Sequence, residues 1–460
     1  MHRIRNFSEL ARSEDHVVVL EALEESLLAA DPKEAVKRLL VTEGRSCFYV
    51  SGIERKICPK EGVYILGFGK AAKGMVEGAL EALGETIRGG VVINPYYEGR
   101  IGPVEALRGD HPIPSHNTLR SSQKLLDFAS SIPRDAAVLV LISGGGSALF
   151  EVPRDGVSLR DVAEVTEKLM KRGADIYELN AVRKHLSKVK GGQLLKYVKA
   201  RPVISLVISD VVGDRLDTIA SGPTVPDETT FRDAFEVLNR YGVWEELPES
   251  VRRVISSGLR GSGETPKSGD PVFSDTFVKI VASNVVALRA ASRKLQEHGY
   301  RPLIIGDRLR GEAREVGRAL AGVLESIDAG TFQQPGGEMP TALIAGGETT
   351  VTVRGRGVGG RNQELCLSLA LELARYRLLK RGYVAACMGT DGVDGNSPAA
   401  GALVDDDILV EARKAGLNPI EYLNANNTYE FFKSLGRAID TGGYTGTNVN
   451  DVFLAVLRKA

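Results

Sequence analysis

Cysteine is scarce in this sequence: four residues, Cys47, Cys58, Cys366 and Cys387, in a chain of 460. No two of them form a CxxC pair, and their spacing suits neither a zinc site nor a dense disulfide framework. Buried free thiols are therefore the expected state. Charge of one sign is also missing. Lys plus Arg and Asp plus Glu both number 59, so no broad basic field exists of the kind that nucleic-acid or membrane-surface binding requires. Long apolar runs are absent as well. The run over residues 136–142 is far too short to span a bilayer, and the first fifteen residues lack the apolar stretch of a secretory signal. The expectation is a cytoplasmic protein with small-molecule partners, no nucleic acid and no membrane; monomer and homodimer both stay open.

The length calls for at least two domains. Hydrophobic content of 43% and charged content of 26% are those of a folded chain. Residues 14–40 carry apolar positions at three- and four-residue spacing, with Asp31-Pro32 as a turn, and predict two amphipathic helices. Short Val- and Ile-rich runs then alternate with longer helical stretches. Strands are predicted at 63–66, 90–93, 137–142, 203–208, 277–281, 302–305, 341–344 and 383–388. Most are apolar throughout, as in parallel strands covered on both faces. The fold class is α/β, with a mostly parallel, doubly wound sheet. Residues 349–353 alternate after a Gly-Gly turn and predict a hairpin. A break falls between Pro226 and Pro271, giving domains of 1–270 and 271–460, although the C-terminal strand could return to the first sheet. Residues 333–338 read as an exposed or disordered loop.

The 51 glycines are grouped, several of them just after predicted strands. In open α/β sheets ligands bind at the carboxyl ends of strands. Gly67-Phe68-Gly69-Lys70-Ala71-Ala72-Lys73-Gly74 stands at such an end. It is neither a dinucleotide fingerprint nor a Walker A motif, since the glycine spacing is wrong and Gly-Lys-Ser/Thr is missing. Lys70 there suits a phosphate or a developing negative charge. Ser143-Gly144-Gly145-Gly146-Ser147 follows the most apolar strand. Three successive glycines cost chain entropy that a surface turn seldom needs. A backbone wrapped on phosphates needs them, with Ser143 and Ser147 adding hydroxyls. Asp210, in Ser-Asp-Val-Val-Gly-Asp, ends another strand, where a carboxylate can bind Mg²⁺ or accept a proton. Arg183, Lys184, His185, Lys188 and Lys190 form a local basic cluster, for which a solvated face is the usual reading. Arg361 opens a helix in Gly-Gly-Arg-Asn-Gln-Glu. A cation opposes the helix dipole there, which points to an anionic ligand, and arginine matches a carboxylate bidentately. Asp391 and Asn450 lie in two further polar glycine loops.

Taken in series, Gly-Phe-Gly-Lys-Ala-Ala, Ile-Ser-Gly-Gly-Gly-Ser-Ala-Leu, Ser-Asp-Val-Val-Gly-Asp, Ala-Ser-Gly-Pro-Thr, Gly-Gly-Arg-Asn-Gln-Glu and Gly-Thr-Asp-Gly-Val-Asp-Gly resemble the glycerate 2-kinase family with a C-terminal MOFRL domain. The resemblance spans about residues 15–457. It implies two α/β domains, the larger Rossmann-like, with the active site in the cleft between them. It further implies ATP-dependent, Mg²⁺-assisted phosphorylation of D-glycerate at the 2-hydroxyl, with Lys70, Asp210 and Arg361 lining the cleft. In that scheme Ser143, Gly144, Gly145, Gly146 and Ser147 hold the nucleotide, while the metal ligands are unknown. The rival is an NAD(P)H-dependent hydroxypyruvate reductase, disfavoured by the poor glycine spacing and by Ile93-Asn94-Pro95, which offers no acid to a ribose.

Overall fold

A computed structural model describes residues 2–44, 46–332 and 339–459. The predicted loop over 333–338 lies outside the described residues. Two compact units form: Pro32–Val281, and Met1–Asp31 together with Ala282–Ala460. The division differs from a single cut near residue 270. The helix Glu14–Ala30 packs on Asn284–Glu297, with Ser26 Oγ donating to Ala287 O at 3.1 Å, and so belongs with the C-terminal half of the chain.

The unit Pro32–Val281 is built on a seven-stranded sheet. Its order is Thr276–Ala282, Val203–Ile208, Ala137–Ile142, Val63–Phe68, Ile87–Asn94, Val104–Arg108, Gly99–Ile101. The five strands from Val203–Ile208 to Val104–Arg108 pair in parallel, and Gly99–Ile101 is antiparallel. Ala137–Ile142 and Val203–Ile208 are buried at every residue, which is why their sequences show no polar alternation. Helices such as Ala72–Leu83 and His116–Ser131 connect them, the latter started by a capping box on Ser115. Because the central strands run the same way, the turns after Phe68, Ile142 and Ile208 emerge at one end of the sheet.

The other unit has a six-stranded mixed sheet in the order Pro302–Leu309, Ala342–Gly347, Asp451–Leu457, Tyr383–Gly389, Gly401–Asp405, Ala438–Ile439. Only the first pair is parallel. The C-terminal strand lies at the centre of this sheet, paired on both sides, and does not return to the first one. The expected hairpin at 349–353 is absent. Thr350 makes a single parallel bridge to Glu312, because the chain after Gly347 is drawn to the start of helix Ala313–Asp328.

The cysteines are paired, Cys47 with Cys58 and Cys366 with Cys387. This corrects the expectation of free thiols. Cys47 and Cys58 meet across the small antiparallel sheet of Leu40–Glu43, Cys47–Val50 and Lys56–Ile57, while helix Arg361–Tyr376 lays Cys366 over the strand that carries Cys387. Sequence spacing does not report such contacts. Among the described residues no helix is long and apolar enough to cross a membrane.

Candidate active site

Two glycine loops of the unit Pro32–Val281 are spliced to each other. Strand Val63–Phe68 ends at Gly69, whose φ of 130° is open to glycine but not to side chains. A Cβ at Gly69 would also overlap Ser143. From this turn Lys70 N donates to Gly144 O at 2.9 Å and Ala71 N donates to Ser143 Oγ at 3.0 Å, while Ser143 N donates to Phe68 O at 3.2 Å. Ser143 is buried, so its hydroxyl oxygen works inside the protein as the splice between the loops.

The third strand brings a carboxylate to the same place. Asp210 follows Val203–Ile208, and its side chain fills the space in which a Cβ at Gly144 would stand. A Cβ at Gly145 would lie 2.9 Å from His111 Cδ2 and 3.3 Å from Lys70 Cε. Lys70, Asp210 and His111 therefore gather on the backbone of Gly144-Gly145. His111 was not singled out from the sequence. Its only signal is a His-Pro pair just beyond the strand Val104–Arg108. Burial, and then the charge of Lys70, lower its pKa and keep the imidazole neutral at physiological pH.

Beneath the loop lies much of the basic cluster, which is largely internal. Lys184, His185 and Lys190 are buried. Lys190 Nζ donates to Ser147 O at 2.8 Å and Phe150 O at 2.9 Å and pairs with Glu151 at 3.0 Å. Arg183 Nη2 donates to Ser147 O at 3.2 Å. Burial pushes Lys190 down to about 8, against the pull of Glu151. Lys184 pairs with Asp227 at 3.2 Å and His185 meets Glu264 at 2.9 Å. Lys188 is the member nearest the solvated reading, pairing with Asp155 on the surface. Arg183 and Lys190 hold the Gly146–Leu149 turn in place through the carbonyl of Ser147, and Lys190 also through that of Phe150. Ser147 Oγ is 2.8 Å from Ser221 Oγ, which donates to Asn180 Oδ1 at 3.0 Å. Ala220 and Ser221 both have left-handed backbone, with φ of 51° and 61°. Gly146 allows them to approach, since its Cβ would come 2.7 Å from that of Ala220.

Arg361 lies in the other unit, at the first residue of helix Arg361–Tyr376. The anion expected opposite it is supplied by the protein. Nε and Nη2 hold Asp451 bidentately at 2.7 and 3.0 Å, and Nη1 reaches Glu348 at 3.0 Å. Asp394 accepts from the N–H groups of Asn362 and Gln363 at 3.0 and 2.9 Å and so caps the same helix. Its full burial, with the nearby charge of Asp451 adding to it, pushes it up to about 7 despite those bonds. Burial likewise raises Asp451, opposed by Arg361. Asn450 has left-handed backbone at φ 66°, and its buried Oδ1 has no hydrogen-bond partner among the described residues. Asp391 caps its own turn, accepting from Val393 N at 3.3 Å. Glu348, Asp394 and Asp451 were not singled out from the sequence. Each sits next to a glycine or helix-start motif, but nothing in the pattern tells which carboxylate faces Arg361.

A family model described as a domain of unknown function (DUF4147) matches residues 18–256, and the MOFRL family model matches residues 341–451. A D-glycerate 2-kinase of Thermotoga maritima is 39% identical, covering 96% of this chain and 98% of its own. The chain belongs to the glycerate 2-kinase family. A crystal structure of a glycerate kinase from the same organism superposes with a TM-score of 0.83 at 38% identity, over 96% of this chain and 99% of that one. The family also includes a protein of Agrobacterium vitis provisionally named a hydroxypyruvate reductase, 37% identical over 95% of this chain and 93% of its own.

Proposed function

We propose that the protein transfers the γ-phosphoryl group of ATP to the 2-hydroxyl of D-glycerate, giving 2-phosphoglycerate and ADP. The observation that carries this is the gathering of Lys70, His111 and Asp210 on the Gly144-Gly145 backbone at the carboxyl ends of parallel strands. Phosphoryl transfer needs positioning and charge neutralisation more than covalent chemistry. In the loop of Ser143, Gly144, Gly145, Gly146 and Ser147 the N–H groups of Ser143 and Gly146 are spent inside the protein, those of Gly144 and Gly145 are offered to phosphate oxygens, and Lys190 and Arg183 brace the turn. Lys70 offsets charge on the moving group. Asp210 orients the 2-hydroxyl and accepts its proton, or serves as a Mg²⁺ ligand. One carboxylate beside phosphates is an ordinary donor set for Mg²⁺, which completes its shell with water and phosphate oxygens. Bound there, the ion would supply positive charge against the phosphates of the nucleotide. His111, neutral, can hydrogen-bond a substrate oxygen without adding charge.

In the other unit Arg361 is proposed to receive the glycerate carboxylate. Asp451 fixes one edge of its guanidinium. The half-exposed Glu348 on Nη1 is the partner that a substrate carboxylate can displace. The reductase reading has less support. Asn94, at the strand end where a ribose-binding acid would stand, spends its side chain on the turn, accepting from Tyr96 N and Tyr97 N and donating to Tyr97 O. A coupled ADP-release assay with D-glycerate, run beside an absorbance assay with hydroxypyruvate and NADH, separates the two. Glycerate-dependent ADP with no NADH oxidation is expected, and the reverse pattern overturns the proposal.

A further inference from the structure

The unit Pro32–Val281 contains a polar cavity of about 530 Å³, lined among others by Arg154, Lys188, Lys196, Tyr197, Ser257 and Ser262. It is separate from the residues gathered at Gly144-Gly145. Its balance of charge is one-sided. Three cations face it, and Asp155 is the carboxylate in its wall, already paired with Lys188 and almost fully exposed. Lys196 makes no ion pair with a described residue. The nearest acids are otherwise engaged: Glu264 is held by His185 and Lys267, and Asp270 caps the turn at Val272 N.

Arg154 is fixed in advance. Its guanidinium lies over the Phe231 ring, 5.2 Å from the centroid, and Nη2 donates to Gln193 Oε1 at 3.1 Å. Gln193 is itself buried and locked, its Nε2 donating to the carbonyls of Lys184, Ser187 and Lys190. Arg154 Nε is buried with no hydrogen-bond partner among the described residues. Gly263 passes close to the guanidinium, and a Cβ there would stand 2.5 Å from Arg154 Nη1 and crowd it. Partial desolvation lowers Lys196 and the charge of Arg154 adds to it, while Asp270 and Glu264 oppose the shift. A rigid arginine, a lysine and three hydroxyls around one cavity match a tetrahedral oxyanion.

We propose that this cavity is a binding site for a phosphate group, distinct from the phosphates of the kinase reaction, with Arg154 and Lys196 as its charged ligands and Tyr197, Ser257 and Ser262 as hydroxyl donors. The phosphate comes free or on a small metabolite, and both sources present the same chemistry. The test is calorimetric titration of the full-length protein with orthophosphate and, separately, with glycerol phosphate, in wild type, Lys196→Gln and Arg154→Gln. Removing one charge-assisted contact is expected to weaken binding by about tenfold or more in each variant. Tighter binding of glycerol phosphate than of orthophosphate assigns a metabolite; equal binding assigns the free ion. A crystal soaked with tungstate should show the anion between Arg154 and Lys196. Should Arg154→Gln unfold, Lys196→Gln, at an exposed position, still decides. Equal affinities in wild type and Lys196→Gln, or tungstate found only against residues 143–147, overturn the proposal. Kinase turnover in Lys196→Gln stays at the wild-type level in either event, so the outcome is independent of the proposed reaction.

Discussion

The carboxylate of Asp210 occupies the space that a side chain at Gly144 would need. The glycine is therefore a requirement of contact and not only of backbone freedom, and it ties the phosphate loop to the strand end that carries the acid. Gly144→Ala should push the two apart and lower kcat by about 100-fold or more, the scale of misplacing one reacting group. The far-UV circular dichroism should not change. Steady-state kinetics with ATP and D-glycerate check this, and wild-type turnover would remove Asp210 from the site.

Lys70 is expected to act on the transition state. Lys70→Ala should reduce kcat by about 100-fold or more, the usual loss for one preorganised donor. A change confined to KM would instead assign Lys70 to ground-state binding.

Glu348 competes for Arg361. Glu348→Gln removes that competing charge and should lower KM for D-glycerate, leaving KM for ATP unchanged. Asp451→Asn weakens the bidentate clamp that aims Arg361 and should raise KM for D-glycerate. If neither substitution alters the glycerate KM, Arg361 is not the carboxylate ligand.

Asp394 gives stability a pH dependence of defined sign. Its folded pKa is raised from 3.8 to about 7. Between those values the folded protein holds a proton that the unfolded chain releases, so this group makes stability fall as pH rises through the window. Asp394→Asn should flatten that dependence. Denaturant titrations across the same range in wild type and variant measure it, and parallel slopes would show that Asp394 ionises normally.

The disulfide Cys47–Cys58 closes a short loop, with a sequence separation of 11. Cross-linking so few residues restricts the unfolded chain by about 2–3 kcal/mol. Cys47→Ser should lower Tm accordingly, and the wild-type Tm should fall on treatment with dithiothreitol. A Tm indifferent to reductant would show that the pair does not stabilise the fold.

The parallel core was legible in the sequence because strands covered on both faces must be apolar throughout, as Ala137–Ile142 and Val203–Ile208 are. The glycine loops were legible because successive glycines after a strand have few other uses. Relationships made by tertiary contact were not. His111 comes to the Gly145 backbone beside Lys70 from a separate strand end, and Asp451 meets Arg361 across 90 residues of sequence. The cluster from Arg183 to Lys190 has the composition of a solvated surface. Only the fold reveals that Lys190 is buried and bonded to the carbonyl of Ser147 in the phosphate loop and to that of Phe150 just beyond it. Helix Glu14–Ala30 carries no local sign that its apolar face belongs against Asn284–Glu297, far along the chain.

The central claim is a phosphoryl transfer to the 2-hydroxyl of D-glycerate, and proton-coupled phosphorus NMR of the product tests it most directly. Phosphate on the 2-oxygen is coupled to the single proton of its carbon, so wild-type enzyme with ATP, Mg²⁺ and D-glycerate should give a new doublet that Lys70→Ala does not produce. A triplet, from phosphate on the CH₂ oxygen, or no ester signal while ATP remains, would contradict the account.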